Sequence, residues 1–250
     1  MAEDITPALL DKIQREFNSS LNQSSKVASI QSKLTKGTAT YLDAQTYSIE
    51  LGELLTKAFK NNLSSDVLPE GRMYFNIAER ILNETLGTNH QLISTLTKQV
   101  QETLNANAGL GLKSAEVPVY QSKIKSLINR IANEENFDDI AWMLGEPVVT
   151  FSQNIVDETL KANVDFQGKS GMRPIVTRVV HGHKPCDWCR SKAGTYRYPD
   201  VPKDVYKRHD SCKCSVTYDP GDGKKKDAWT KDTLTPEEKE SIEQRKTYGL

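Results

Sequence analysis

The chain has 250 residues, enough to bury a sizeable core as one large domain or two unequal ones. Its 33 Lys and Arg residues balance 33 Asp and Glu residues, so no overall charge attracts it to nucleic acid or to an anionic membrane. No stretch approaches the roughly 20 apolar residues of a membrane span, and the acidic start MAEDITPALLDK is unlike a secretory signal. We therefore expect a cytoplasmic protein without membrane contact.

Residues 8 to 166 have the spacing of amphipathic helices, because apolar side chains recur three and four positions apart. The repeats are Leu9, Ile13, Phe17 and Leu21; Tyr47, Leu51, Leu54, Leu55 and Ala58; Tyr74, Ile77, Ala78 and Ile81; Leu92, Leu96, Val100 and Leu104; and Ile124, Leu127, Ile128 and Ile131. Breaks rich in turn residues around Gly37, Pro69 and Pro118 divide the stretch into about six helices. We expect these apolar faces to form the core.

The pattern changes after Gly168, where three short runs are typical of strands. They are PIVTRVV (174–180), GTYRY (194–198) and CSVTY (214–218). In the charged end of the chain, only TPEEKESIEQRK predicts a helix, with Thr235 as its N-cap. The fold class is therefore α+β, with a mostly helical region over 1–170, a small β-containing C-terminal module over 171–222 and a charged tail over 223–250.

All four cysteines lie between positions 186 and 214, at spacings typical of metal ligands. Cys186 and Cys189 form a CxxC knuckle, and after 19 intervening residues His209, Cys212 and Cys214 form HxxCxC. In a reducing compartment such cysteines are expected to bind metal rather than to form disulfides. The sequence predicts one structural Zn²⁺ ion.

Five candidate ligands compete for the four positions of a tetrahedral site. Cys186 and Cys189 belong to every arrangement. A set that completes the site with His209 and either Cys212 or Cys214 is preferred over a set of all four cysteines. The two ligands of a CxC pair reach one ion less easily than the two of the wider HxxC. The alternative is that small buried thiols lie beside an unrelated histidine. A bound ion would supply folding energy that a small sheet with little core lacks.

A catalytic role finds little support in the motifs, and we predict that the chain is not an enzyme. Neither HExxH nor its inverted form occurs, and PCDWC lacks the upstream HxE that a zinc deaminase requires. His181 and His183 invite comparison with ββα-metal nucleases, but no partner Asn and second His are recognisable in that frame. A metal-dependent nuclease is the least favoured alternative.

A nucleic-acid-binding protein is a further alternative, because residues 171–250 hold 17 Lys and Arg against 12 Asp and Glu. In this hypothesis zinc stabilises a basic surface formed by Arg190, Lys192, Arg197, Lys207, Arg208, Lys213 and Lys224 to Lys226. The competing interpretation is that these basic residues are ordinary solvated surface residues without a partner function.

The segments CDWCRSKAGTYRYPD (186–200) and DVYKRHDSCKCSVTYDPGDGKK (204–225) resemble the C-terminal signature of phage minor head proteins of the Mu F-like head-morphogenesis family. The likeness covers residues 174 to about 226 and includes the knuckle, the AGTY turn and the RHxxCxC closure. The family's closing motif often reads HPNCRC where this chain has HDSCKC, a difference that leaves every candidate ligand in place.

This resemblance implies a virion component that acts in head assembly, near the portal or inside the capsid. It implies the phage portal or major capsid protein as partner, with packaged DNA as a further partner of the basic C-terminal region. The protein would be assembled into the head in the cytoplasm of the host bacterium. The resemblance implies no reaction, and the 36 residues after Cys214 are too few for an added catalytic domain.

Overall fold

The computed structural model describes residues 4–181, 186–209, 211–221 and 240. Within them the α+β prediction is confirmed, because a helical body precedes a three-stranded antiparallel sheet. The α-helices are α1 Thr6–Gln23, α2 Ser25–Thr35, α3 Tyr41–Asn62, α4 Phe75–Asn107, α5 Gln121–Ala132, α6 Phe137–Ile140, α7 Glu146–Lys169 and α8 Asp187–Ser191. The helix predicted from TPEEKESIEQRK lies outside the described residues, apart from Glu240.

The helix boundaries follow the local signals in the sequence. Thr40 and Asp43 form a capping box at the start of α3, and Gly37 adopts a positive φ of 67° in the break before it. The two apolar repeats between Tyr74 and Leu104 lie on a single helix of 33 residues, α4. None of the described helices combines the length and apolarity needed to cross a membrane.

Helices α3 and α7 form the centre of the body and approach each other closely at Gly52. A Cβ atom at position 52 would lie 2.8 Å from the Cα atom of Val149 and 3.0 Å from the Ser152 hydroxyl. Around α7 the buried residues include polar ones, among them Gln153 and Asp157. The helix lies within the predicted helical region, and its enclosure on several sides explains why polar as well as apolar side chains are buried.

The sheet has the order β2-β1-β3, with β1 Ile175–Val179, β2 Gly194–Arg197 and β3 Ser215–Asp219. All three predicted strands are therefore confirmed. Val176 pairs with Tyr218, and Arg178 pairs with Val216, in the antiparallel register of β1 and β3. These four side chains are buried on one face of the sheet, because side chains alternate between the faces of a strand.

The buried face of the sheet belongs to the same hydrophobic core as the helices. Val176, Val216 and Tyr218 cluster with the apolar side chains of the helical body. From α3, the side-chain amide of Gln45 donates to the carbonyl of Val216 (2.9 Å) and accepts from its N–H (3.3 Å). The sequence led us to expect a small sheet with little core, but the sheet obtains its core from α3 and α7.

A buried ion pair also joins α7 to the segment before β3. The guanidinium of Arg208 donates to both carboxylate oxygens of Asp157, one of them at 2.9 Å, and both side chains are fully buried. The same guanidinium donates to the carbonyl of Cys214 at 2.6 Å. The hypothesis of a basic surface was therefore wrong for Arg208, because Asp157 draws this side chain into the interior.

The close approach at Gly52 predicts opposite effects for two glycine substitutions within helices. Gly52→Ala should lower the free energy of unfolding by about 1–3 kcal/mol, because its methyl group overlaps α7. Gly87→Ala in α4 should raise it by about 0.5–1 kcal/mol, since no atom lies within 4 Å of the new methyl group and alanine favours the helix. Urea denaturation followed by circular dichroism measures both. Equal effects would contradict the close packing of α3 on α7.

The buried ion pair predicts a large effect for an almost isosteric substitution. Asp157→Asn should lower the free energy of unfolding by about 3–5 kcal/mol, because it leaves the charge of Arg208 buried without a carboxylate. Glu116→Gln, which breaks the exposed ion pair with Lys98, serves as the control and should have no measurable effect. Thermal and urea denaturation of the three proteins provide the comparison. Similar stability of both variants would contradict the inferred role of the pair.

Candidate metal centre

Five potential metal ligands converge from two segments of the C-terminal module. Cys186 caps the N-terminus of α8, and Cys189 lies within that helix. His209, Cys212 and Cys214 come from the segment that leads into β3. The Nε2 atom of His209 lies 3.3 Å from Cys186 Sγ and 3.0 Å from Cys189 Sγ. The structure therefore brings together all five residues that the sequence nominated.

The donors form two overlapping groups that share Cys189. One consists of Cys186, Cys189 and His209, the other of Cys189, Cys212 and Cys214, and in each the ligand atoms lie within 4.8 Å of one another. The Sγ atoms of Cys189 and Cys212 are 3.9 Å apart. In a tetrahedral zinc site, bond lengths near 2.3 Å for sulfur and 2.0 Å for nitrogen place the ligand atoms roughly 3.5–3.8 Å apart. The cluster is therefore able to hold a metal ion.

Local backbone geometry explains how each segment presents its donors. The first turn of α8 lets the amide N–H of Cys189 donate to Cys186 Sγ at 3.2 Å, as expected of a CxxC knuckle. In the second segment, the N–H of Cys212 donates to the carbonyl of His209 at 3.1 Å. Ser211 closes this turn in the left-handed region, with a φ of 60°.

The surroundings shift the thiol pKa values in different directions. The N–H of Cys189 lowers the pKa of Cys186, which is exposed. Burial raises the pKa of Cys189, and the adjacent sulfurs act in the same direction. Burial also opposes ionisation of Cys212, but the backbone of Cys214 and the charge of Arg208 outweigh it and lower the pKa of Cys212.

Two neighbouring side chains were not nominated from the sequence. Arg178, on the buried face of β1, donates from Nη2 to Cys212 Sγ at 3.6 Å. The ring of Trp188 lies nearby, with its centroid 5.9 Å from that of His209 and 5.4 Å from the Arg178 guanidinium carbon. The alternation of β1 does place Arg178 on the same face as Val176, and this was the available signal.

The structure places His181 apart from the metal ligands. Its Nε2 atom lies 2.8 Å from the hydroxyl of Ser215, and it belongs to neither of the two groups of candidate ligands. His183 lies outside the described residues. The absence of catalysis and the nuclease alternative both remain predictions.

The proposed basic surface is smaller than the sequence suggested. Arg208 is buried, Arg190 pairs with Asp187, and Lys192 pairs with Asp204 at 2.8 Å. The exposed members without an ion pair, within the described part of the module, are Arg197, Lys207 and Lys213. The run Lys224 to Lys226 lies outside the described residues. DNA contact therefore stays a prediction that rests on fewer groups.

The chain was compared with known protein families, with curated proteins and with solved structures. None of these three comparisons found a match. The cysteine and histidine cluster and the resemblance of the surrounding sequence are therefore the indications of function.

Proposed function

We propose that the chain is a non-enzymatic structural protein of a phage head, a minor head protein of the Mu F-like head-morphogenesis family. A single zinc ion stabilises its C-terminal module. The observation that carries the proposal is the convergence of Cys186, Cys189, His209, Cys212 and Cys214 on one cluster. All five residues lie in the segment that resembles the family signature, so the motif and the geometry support the same interpretation.

The donor set favours zinc and a structural role. Thiolate sulfur and imidazole nitrogen are the ligands of structural zinc sites, which are closed, whereas catalytic sites keep one position open for water. Cys189, Cys212 and Cys214 are buried, with at most 4% of each residue exposed. The cluster contains five donors, one more than a closed tetrahedral site needs. The ion would tie the knuckle around α8 to the segment before β3.

The assembly role follows from the family resemblance, and the fold gives the module a stable base. The helical body and the sheet share one core, so the metal centre is held on a rigid base. We propose the phage portal or the major capsid protein as partner, with packaged DNA as a further partner of the basic C-terminal region. The site of action is then the virion, after assembly in the cytoplasm of the host bacterium.

The zinc proposal predicts the metal content of the full chain. Protein purified without added chelator should contain about one zinc ion per chain, and Cys189→Ser should reduce this below half. His181→Asn is the matched control, because it alters a nearby side chain that lies in neither ligand group, and it should retain the metal. Inductively coupled plasma mass spectrometry provides the measurement. A wild-type chain that folds without zinc, and whose melting temperature chelator leaves unchanged, would overturn the zinc site.

The head-protein proposal predicts where the chain resides. Heads of the phage that encodes it, purified through a density gradient and treated with nuclease and protease, should contain the chain in low copy number by quantitative mass spectrometry. A reconstruction without imposed symmetry should place it near the portal or inside the shell. Absence of the chain from both finished heads and proheads would refute this proposal and leave the zinc site untouched.

A further inference from the structure

Arg178 is an unusual residue because its charged side chain is buried and no described residue pairs with it through a carboxylate. Only 1% of the residue is exposed. The ion pairs between described residues do not include it, whereas the other buried arginine, Arg208, is matched by Asp157. A buried charge that lacks an opposite charge is strongly destabilising. Among the described residues, the negative charge that balances Arg178 must therefore come from a group other than a carboxylate.

The contacts of the guanidinium identify that group. Nη1 donates to the carbonyls of Val205 (2.6 Å) and Lys207 (2.8 Å), which fixes the orientation of the planar guanidinium. Nη2 is thereby directed at Cys212 Sγ, 3.6 Å away. The ring of Trp188 lies over the guanidinium carbon. A neutral thiol would leave Arg178 unbalanced, whereas a thiolate bound to a metal ion is a strong acceptor for its N–H.

We infer that Arg178 is the positioning residue of the metal centre, and that it makes Cys212, rather than Cys214, the fourth ligand beside Cys186, Cys189 and His209. This inference rests on the proposed metal site. With three thiolates, a neutral imidazole and a divalent ion, the centre carries one negative charge. That charge matches the single positive charge of Arg178, and Arg208 is already matched by Asp157. Both charge pairs are then balanced.

The contacts of Cys212 support this ligand set, and a bound ion would draw Cys212 closer to the group of Cys186, Cys189 and His209, since these four do not all lie within 4.8 Å of one another. Cys212 Sγ lies 3.9 Å from Cys189 Sγ, near the separation of two thiolates on one zinc ion. It also receives a hydrogen bond from the backbone of Cys214 in addition to the one from Arg178. Arg208 contacts Cys214 through the carbonyl oxygen. The Cys214 thiol also contacts Cys189 and Cys212, but no described arginine donates to its sulfur, and in this assignment it stays a buried thiol beside the centre.

Cobalt(II) titration of the full chain tests the role of Arg178, because the sulfur-to-cobalt charge-transfer band reports on the bound thiolates. Arg178→Met should weaken cobalt(II) binding by about 10- to 100-fold and shift the band, as expected when the hydrogen bond to a metal ligand is lost. Arg178→Lys, which keeps the charge and one donor, should recover part of the affinity. Val176→Ala is the matched control, since it creates a cavity on the same face of β1 without removing a donor to sulfur.

The outcomes separate this inference from the proposal on which it rests. No charge-transfer band in the wild-type chain would refute the metal site itself. A wild-type band, together with equal losses in Arg178→Met and Val176→Ala, would leave the metal site standing and overturn the role of Arg178. Failure of lysine to restore any affinity would also count against the charge balance.

Two serine substitutions test the ligand assignment independently of Arg178. Cys212→Ser should reduce the intensity of the charge-transfer band by about a third, because one of three thiolates is lost. Cys214→Ser should retain the full band. Both residues are buried and separated by one position, so each serves as the control for the other. The opposite result, with the band reduced only by Cys214→Ser, would overturn the assignment.

Discussion

The salt bridge between Arg208 and Asp157 connects the three parts of this structure: the helical body, the sheet and the metal centre. Asp157 belongs to α7, at the centre of the helical body, and Arg208 precedes the candidate ligand His209. The remaining guanidinium nitrogen of Arg208, Nη1, donates to the carbonyl of Cys214, immediately before β3. Because both side chains are fully buried, this geometry depends on the helices being folded. The position of the second ligand segment is therefore set by its contact with α7.

This dependence changes the role expected of the metal. In a zinc finger the ion replaces a core that the chain lacks, and the apo form is unfolded. Here the sheet is already packed against α3 and α7 through Val176, Val216 and Tyr218. The ion is instead expected to order the periphery of the module, where α8 and the segment before β3 meet. In the proposed site, a bound ion would balance the buried charge of Arg178, whose guanidinium lies over the ring of Trp188.

The sequence predicted the elements whose signals are local. The helical repeats, the three strands and the two ligand motifs, CxxC and HxxCxC, each follow from spacing over a few residues. They could therefore be found without knowledge of the fold. The buried arginines could not, because a charged side chain ordinarily indicates the surface and Asp157 lies 51 positions before Arg208. Helix α7 lies within the predicted helical region, but the burial of its polar side chains, such as Gln153, was not predicted. The strand alternation that places Arg178 on the same face as Val176 was an overlooked local clue.

The contact between Gln45 and Val216 spans 171 positions in the chain. During synthesis the helical region leaves the ribosome first, and domains generally begin to fold from the N-terminal side. Gln45 and Asp157 are then on the chain before either of their partners, Val216 and Arg208, has been made. Gln45 and Asp157 can pair with each other at 3.4 Å, but their other interior partners arrive only with the last third of the chain. The final closure of the core is therefore a late, long-range step that follows translation of β3.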